Sequence, residues 1–131
     1  MSQSIVDLSL RLYDALNRRD WDAFRELLED EVEIESRLVV MEGPYHGHAG
    51  ARRWWNDFLG AFPDYEVEVQ ELRDLGDVTL AFIRGWGHGV ASATPIIDPF
   101  WHPVRWVDGK CVWWRNCVTE EEELQAIGAL P

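Results

Sequence analysis

What the chain lacks narrows it first. No apolar run approaches the roughly 20 residues of a bilayer-spanning helix, and the N-terminus is without the basic, apolar, small-residue order of a secretory signal. A soluble, cytoplasmic protein is expected. Cysteine is scarce: Cys111 and Cys117 stand alone, six apart on one predicted strand. That places them roughly 20 Å apart, too far for a disulfide, and they read as small, reduced hydrophobes. Positive charge is outweighed. Against 24 Asp and Glu stand 12 Lys and Arg, for a net charge of -12 with no basic stripe. Nucleic acid and anionic membrane surfaces are therefore excluded as expected partners. Phosphate loops, dinucleotide fingerprints and metalloprotease motifs are also missing, so no cofactor is expected.

What is present is a folded chain of 131 residues, 47% hydrophobic with eight Trp, a length that fits one domain over residues 1–131. Ile5, Leu8, Leu12 and Leu16 recur at helical spacing, with Arg18 and Arg19 at the C-terminal end. Asp20 stands where an N-cap belongs, and Trp21, Phe24, Leu27 and Leu28 continue a second amphipathic helix whose solvent face is Glu26, Glu29, Asp30 and Glu31. From Val32 the pattern alternates, as in a strand with one wet face; Leu38–Met41 suggests another short strand. After the turn-rich Gly43–Gly50 loop, a third helix from Ala49 to Phe62 buries Ala51, Trp54, Trp55, Phe58 and Phe62 and stops at Pro63. Strands are expected at 65–72, 78–90, 96–107 and 110–118, with turns at Gly76-Asp77 and Asp108-Gly109. Thr119-Glu120-Glu121-Glu122 is a capping box opening a last helix that ends near Gly128. Helices early and strands late predict an α+β fold, helices covering one face of a mostly antiparallel sheet.

Two strands carry a mixed face. Leu80, Phe82, Arg84, Trp86 and His88 share one parity, and Phe100, His102, Val104 and Trp106 share another. Arg and His cost free energy in an ordinary core unless partnered, so these faces read together as a pocket lining. Gly85 and Gly87 offer the alternative of a bulge or frayed end that leaves His88 in solvent. Pro103 offers another, an edge or bulge that turns His102 away.

The order helix, Asp20-Trp21-Asp22, acidic helix and strand precedes Gly43-Pro44-Tyr45-His46-Gly47-His48-Ala49-Gly50-Ala51-Arg52-Arg53-Trp54-Trp55. Ala61-Phe62-Pro63-Asp64 and Val107-Asp108-Gly109-Lys110 follow. In these motifs, over nearly its whole length, the chain resembles a SnoaL-like member of the nuclear transport factor 2-like superfamily. The resemblance implies a strongly curved, mostly antiparallel sheet wrapped around three N-terminal helices. It also implies a cone-shaped fold with a pocket at the open end and, often, a homodimer through the outer sheet face. The superfold hosts several kinds of enzyme as well as binding modules, so it does not choose among them. The superfamily's steroid-isomerase constellation does not carry over, because Leu12 and Ser36 stand where its Tyr and Asp base would be. Both remain expected pocket positions.

The last strand depends on its turn. A two-residue loop at Asp108-Gly109 puts Cys111, Trp113 and Arg115 on the face of His102; a three-residue loop selects Val112, Trp114 and Asn116. The resemblance favours the second. Trp101, Trp113, Arg115 and Ile83 then fall outside, apolar bulk that a second subunit would cover.

These residues suggest acid/base chemistry without a metal on an apolar, aromatic or polycyclic carbonyl compound, by a cyclase, isomerase or dehydratase. His102 would move the proton, and His88 or Arg84 would hold the oxyanion. Asn116 would orient a polar group, with Leu12, Ser36, Trp54, Trp55, Phe58, Phe82, Trp86, Phe100, Trp106 and Trp114 as the wall. His46-Gly47-His48 has no third ligand at a recognisable spacing, so no metal is expected. A non-catalytic binding module for an apolar molecule and a pure dimerisation domain are the alternatives.

Overall fold

The computed structural model describes residues 4–35, 45–89 and 95–130, with the backbone alone at 95–99. Helix α1 (Ile5–Asn17) starts where the Ser4 hydroxyl accepts the backbone N–H groups of Val6 and Asp7, and it buries Leu8, Leu12 and Leu16 as their spacing requires. The chain then reverses at Arg19, whose φ of 58° is left-handed for a non-glycine residue. Its guanidinium compensates by donating to the carbonyls of Leu16, Pro63 and Tyr65, which ties three segments together. Helix α2 (Trp21–Glu26) begins with Asp20 Oδ1 accepting from the Ala23 N–H at 3.1 Å.

That helix is shorter than its apolar spacing predicts. Leu28 opens strand β1 (Leu28–Glu35), so Glu29, Asp30 and Glu31 lie on a strand instead of a helix face. The cause is tertiary: the Cys111 N–H donates to the Leu27 carbonyl at 2.7 Å, and Leu28 pairs with Cys111. A six-residue helix offers few internal bonds against that capture. Strand β2 (Tyr45–His46) and helix α3 (Gly47–Ala61) follow, then strands β3 (Glu66–Asp74), β4 (Val78–His88), β5 (Pro95–Val107) and β6 (Lys110–Arg115), and helix α4 (Glu120–Gly128). Phe62, expected to be buried on α3, caps it and stays half-buried. The strand expected at Leu38–Met41 lies outside the described residues.

The six strands form one curved sheet in the order β2-β1-β6-β5-β4-β3, antiparallel throughout except where β1 and β6 run parallel. Helices α1, α2 and α3 pack on its inner face around the main core, and α4 packs outside on β5. Asn17 pins α1 to β3 from both ends of its amide, donating to the Val67 carbonyl at 2.8 Å and accepting its N–H at 2.9 Å. Buried pairs of this kind contribute about 1 kcal/mol each. Where α1 meets β4, Thr79 Oγ1 accepts the Trp106 indole N–H at 3.1 Å and lies 3.0 Å from Ser9 Oγ, a polar chain inside the core. Among the described residues no helix is long and apolar enough to cross a membrane.

Candidate functional site

Facing is decided at Tyr65. Its ring crosses the inner side of β4, where a Cβ on Gly85 would stand 2.1 Å from Tyr65 Oη and one on Gly87 would stand 3.0 Å from Tyr65 Cα. Small residues must therefore face inward, and Ala81, Ile83, Gly85 and Gly87 are the buried set. Leu80, Phe82, Arg84, Trp86 and His88 turn to the outer face. This corrects the reading of that row as pocket lining. Phe82 packs on Trp101 with ring centroids 4.7 Å apart, and Trp86 is half-buried. Arg84 is exposed, and His88 Nδ1 meets Asp64 Oδ2 at 2.7 Å in solvent. None of the four reaches the cavity.

On β5 the second row does face inward. Ala81 pairs with His102 and Ile83 with Phe100 in an uninterrupted β4–β5 register, so Pro103 causes no bulge there. Its missing N–H leaves a gap in the β5–β6 ladder, between the Trp101–Cys117 bridge and the Val104–Trp114 pair. Within that register His102 stands opposite Asn116. The turn before β6 is a two-residue one, with Asp108 at φ 51° and Gly109 at φ 77°. An extra residue, Val112, then shifts the register between Trp106–Cys111 and Arg105–Trp113. The bulge does what a longer loop was expected to do: Trp114 and Asn116 face inward, and Cys111 does as well.

The inner surface surrounds a cavity of about 20 Å³. That is room for about one water. Tyr13 and Leu16 come from α1, Trp54 and Phe58 from α3, Tyr65 and Val67 from the start of β3, Ile34 from β1, Ile83 from β4, His102 from β5, and Trp114 and Asn116 from the β6 end. Of the residues expected there, His102, Trp54, Phe58, Trp114 and Asn116 are brought together. Leu12 and Phe100 are buried beside the wall without lining it. Trp55 packs instead against Phe24, centroids 4.9 Å apart, and Trp106 spends its indole N–H on Thr79. Ser36 lies outside the described residues.

Tyr13 is the residue sequence reasoning missed. It follows Leu12 on α1, and with Ser9 and Leu16 it forms a helical stripe one step round from Leu8 and Leu12. That stripe was the available signal. Tyr13 Oη lies 3.2 Å from His102 Nδ1, and the Asn116 amide nitrogen lies 2.9 Å from His102 Nε2. Burial pushes the His102 pKa down from 6.5 to about 3, because an imidazolium there would lose its hydration. Burial, assisted by Cys111, Tyr65 and Glu123, likewise holds the Tyr13 phenol well above its usual value. The chain of three is therefore neutral. Glu35 borders the cavity, yet its carboxylate Oε2 accepts the Trp113 indole N–H at 2.9 Å. Trp54 Nε1, Trp114 Nε1 and Asn116 Oδ1 are buried and have no hydrogen-bond partner among the described residues. Among the described residues no group of three or more His, Cys, Asp or Glu could hold a metal ion.

A SnoaL-like domain matches residues 10–114 of the chain. The chain belongs to the SnoaL-like family. A nuclear transport factor 2-like protein of unknown function from Burkholderia pseudomallei K96243 superposes with a TM-score of 0.80 at 17% identity, over 98% of this chain and 100% of that one. A SnoaL-like protein from Jannaschia sp. CCS1, provisionally assigned as a polyketide cyclase, superposes with a TM-score of 0.76 at 21% identity, over 96% and 92%. TerC, solved as a co-crystal with polyporic acid, gives 0.77 at 17% identity, over 95% and 98%. At such identities these likenesses establish the fold. No curated protein matches the chain.

Proposed function

We propose that this SnoaL-like chain, acting as one domain, is a small-molecule enzyme of the cyclase, isomerase or dehydratase type. Its cavity, which has to open beyond the single water it has room for at rest, takes an apolar, aromatic or polycyclic carbonyl compound and works on it by acid/base chemistry of its side chains. The observation that carries this reading is the buried Tyr13–His102–Asn116 chain on the wall of an otherwise aromatic cavity. A core has no need of such groups, each of which costs free energy on burial. Trp54, Phe58 and Trp114 supply flat apolar walls, and the unpartnered indole N–H groups of Trp54 and Trp114 favour a ligand with acceptor oxygens. His102 is neutral at rest and takes up a proton only as negative charge develops beside it.

The test is α-proton exchange of 1-tetralone, a bicyclic aryl ketone, followed by NMR in deuterated buffer. Wild-type protein is expected to accelerate exchange, and His102→Ala to lose that acceleration by about a hundredfold. Equal rates in the two proteins remove His102 from the mechanism. The low basicity of His102 favours a second reading, a non-catalytic binding module. It predicts quenching of Trp fluorescence by tetralone whose α-protons do not exchange.

Half-buried Phe82, Trp86 and Trp101 on the outer face support pairing of two copies there. A monomer mass by light scattering rejects that pairing. Cys111 and Cys117, buried and in no disulfide, suit a reducing compartment, and on that ground we propose a cytoplasmic protein.

A further inference from the structure

We propose that Asn116 fixes the tautomer of His102 so that Tyr13, and not His102, presents the hydrogen-bond donor to whatever oxygen enters the cavity. The inference rests on the carbonyl reading above only for the identity of that oxygen; the direction of the chain follows from its own atoms.

An amide nitrogen can only donate. With Asn116 Nδ2 at 2.9 Å from His102 Nε2, that ring nitrogen is an acceptor and carries no proton. A neutral imidazole then holds its proton on Nδ1, which donates to Tyr13 Oη at 3.2 Å. Tyr13 accepts this bond, so its own O–H is not spent on His102. Tyr13 lines the cavity, and its hydroxyl makes no second hydrogen bond within the described structure.

The reverse orientation of Asn116 puts Oδ1 against Nε2, moves the imidazole proton to Nε2 and turns the Tyr13 O–H back onto Nδ1. It also strands both amide N–H groups in a buried position. The present orientation strands Oδ1 and one N–H in place of both N–H groups, and an unfilled carbonyl oxygen is the more readily tolerated defect. The backbone helps, since the Asn116 N–H donates to the Glu35 carbonyl at 2.9 Å and holds the residue against β1. Burial keeps both titrating members in the forms this chain requires, His102 neutral and Tyr13 protonated. Asn116 is thus a positioning residue, acting on the ligand through two others. The ligand oxygen receives a hydrogen bond, and no proton changes hands in the resting complex.

The experiment reads the ring nitrogens of His102 by 15N NMR in the unliganded protein, together with the carbonyl stretch of bound 13C=O-labelled 1-tetralone. Wild type is expected to show protonated Nδ1 and bare Nε2, with the carbonyl band moved to lower frequency. Asn116→Asp offers only acceptor oxygens when ionised, so it should switch the proton to Nε2 and abolish the band shift. Tyr13→Phe should abolish the band shift while leaving bare Nε2, and should slow α-proton exchange by about a hundredfold. A proton on Nε2 in wild type overturns the proposal whether or not either variant folds. An unshifted carbonyl band in bound tetralone also overturns it. An Nδ1 proton with no tetralone binding upholds the chain and counts instead against the carbonyl reading.

Discussion

The two faces of strands β4 and β5 carry similar residue types and lead opposite lives. Outside, Phe82, Arg84, Trp86, His88 and Trp101 mix aromatic and cationic groups, and their polar atoms reach solvent or surface carboxylates such as Asp64. Inside, Ile83, Phe100, His102 and Val104 bury a single titratable group whose partners all come from other elements. Composition does not separate the faces; the source of hydrogen-bond partners does. A mixed face can satisfy itself with water, whereas a buried polar group has to be met by designed neighbours.

The largest test of that asymmetry is volume. Trp54, 3% exposed on the cavity wall, should cost about 3–5 kcal/mol when cut to Ala, while Trp86→Ala outside should cost about 1 kcal/mol or less. Urea unfolding of the two variants compares them directly, and equal losses would erase the distinction. Glycine gives the next effect. Gly85→Ala drives a methyl into the Tyr65 ring and should destabilise by about 1–3 kcal/mol. Gly60→Ala meets nothing within 4 Å and should stabilise by about 0.4–1 kcal/mol, read as a rise in Tm.

The smallest effect is on pH dependence, where one buried group on each face opposes the other. The folded His102 pKa, about 3, lies below the unfolded value of 6.5. Between those limits the unfolded chain binds a proton that the folded chain refuses, so stability falls as pH falls, by at most about 1.4 kcal/mol per pH unit. Glu123, 2% exposed on α4 with Oε1 unpartnered among the described residues, goes the other way. Burial, then Glu120 and Glu71 against the opposing pull of Arg73, raises its pKa from 4.5 to about 7. Its contribution is full below 4.5 and is lost as pH rises through 7, with a shallower slope because solvent and Arg73 screen the helix end. Between pH 4.5 and 6.5 the two slopes offset each other. Glu123→Gln should therefore make stability climb more steeply with pH across that window, as read from urea midpoints. A curve parallel to wild type would mean that Glu123 does not titrate there.

Much of the fold was legible because local signals agreed with tertiary ones. The Asp20 and Thr119 caps, the α1 stripe and the Asp108–Gly109 turn all lie where short-range chemistry puts them. Alternation also identified which residues of β4 share a face. What it could not supply was the sign, since choosing the inner row meant knowing that Tyr65, remote in sequence, lies across Gly85. The β6 facing was reached through the wrong device, a longer loop in place of the Val112 bulge. Tyr13 was passed over because Leu12 drew the comparison with steroid isomerases, although the two residues face neighbouring parts of the same core.

The Val112 bulge has one more consequence, for how such a wall could change over generations. Residues 113–116 owe their facing to their pairing with β5, so losing the surplus codon would close the bulge into a regular ladder and leave Trp114 opposite Val104 and Asn116 opposite His102. The neutral amide opposite His102 would survive that genetic event. The surplus residue is therefore an evolutionary buffer: β6 can shorten by one residue here without altering the chemistry of the cavity.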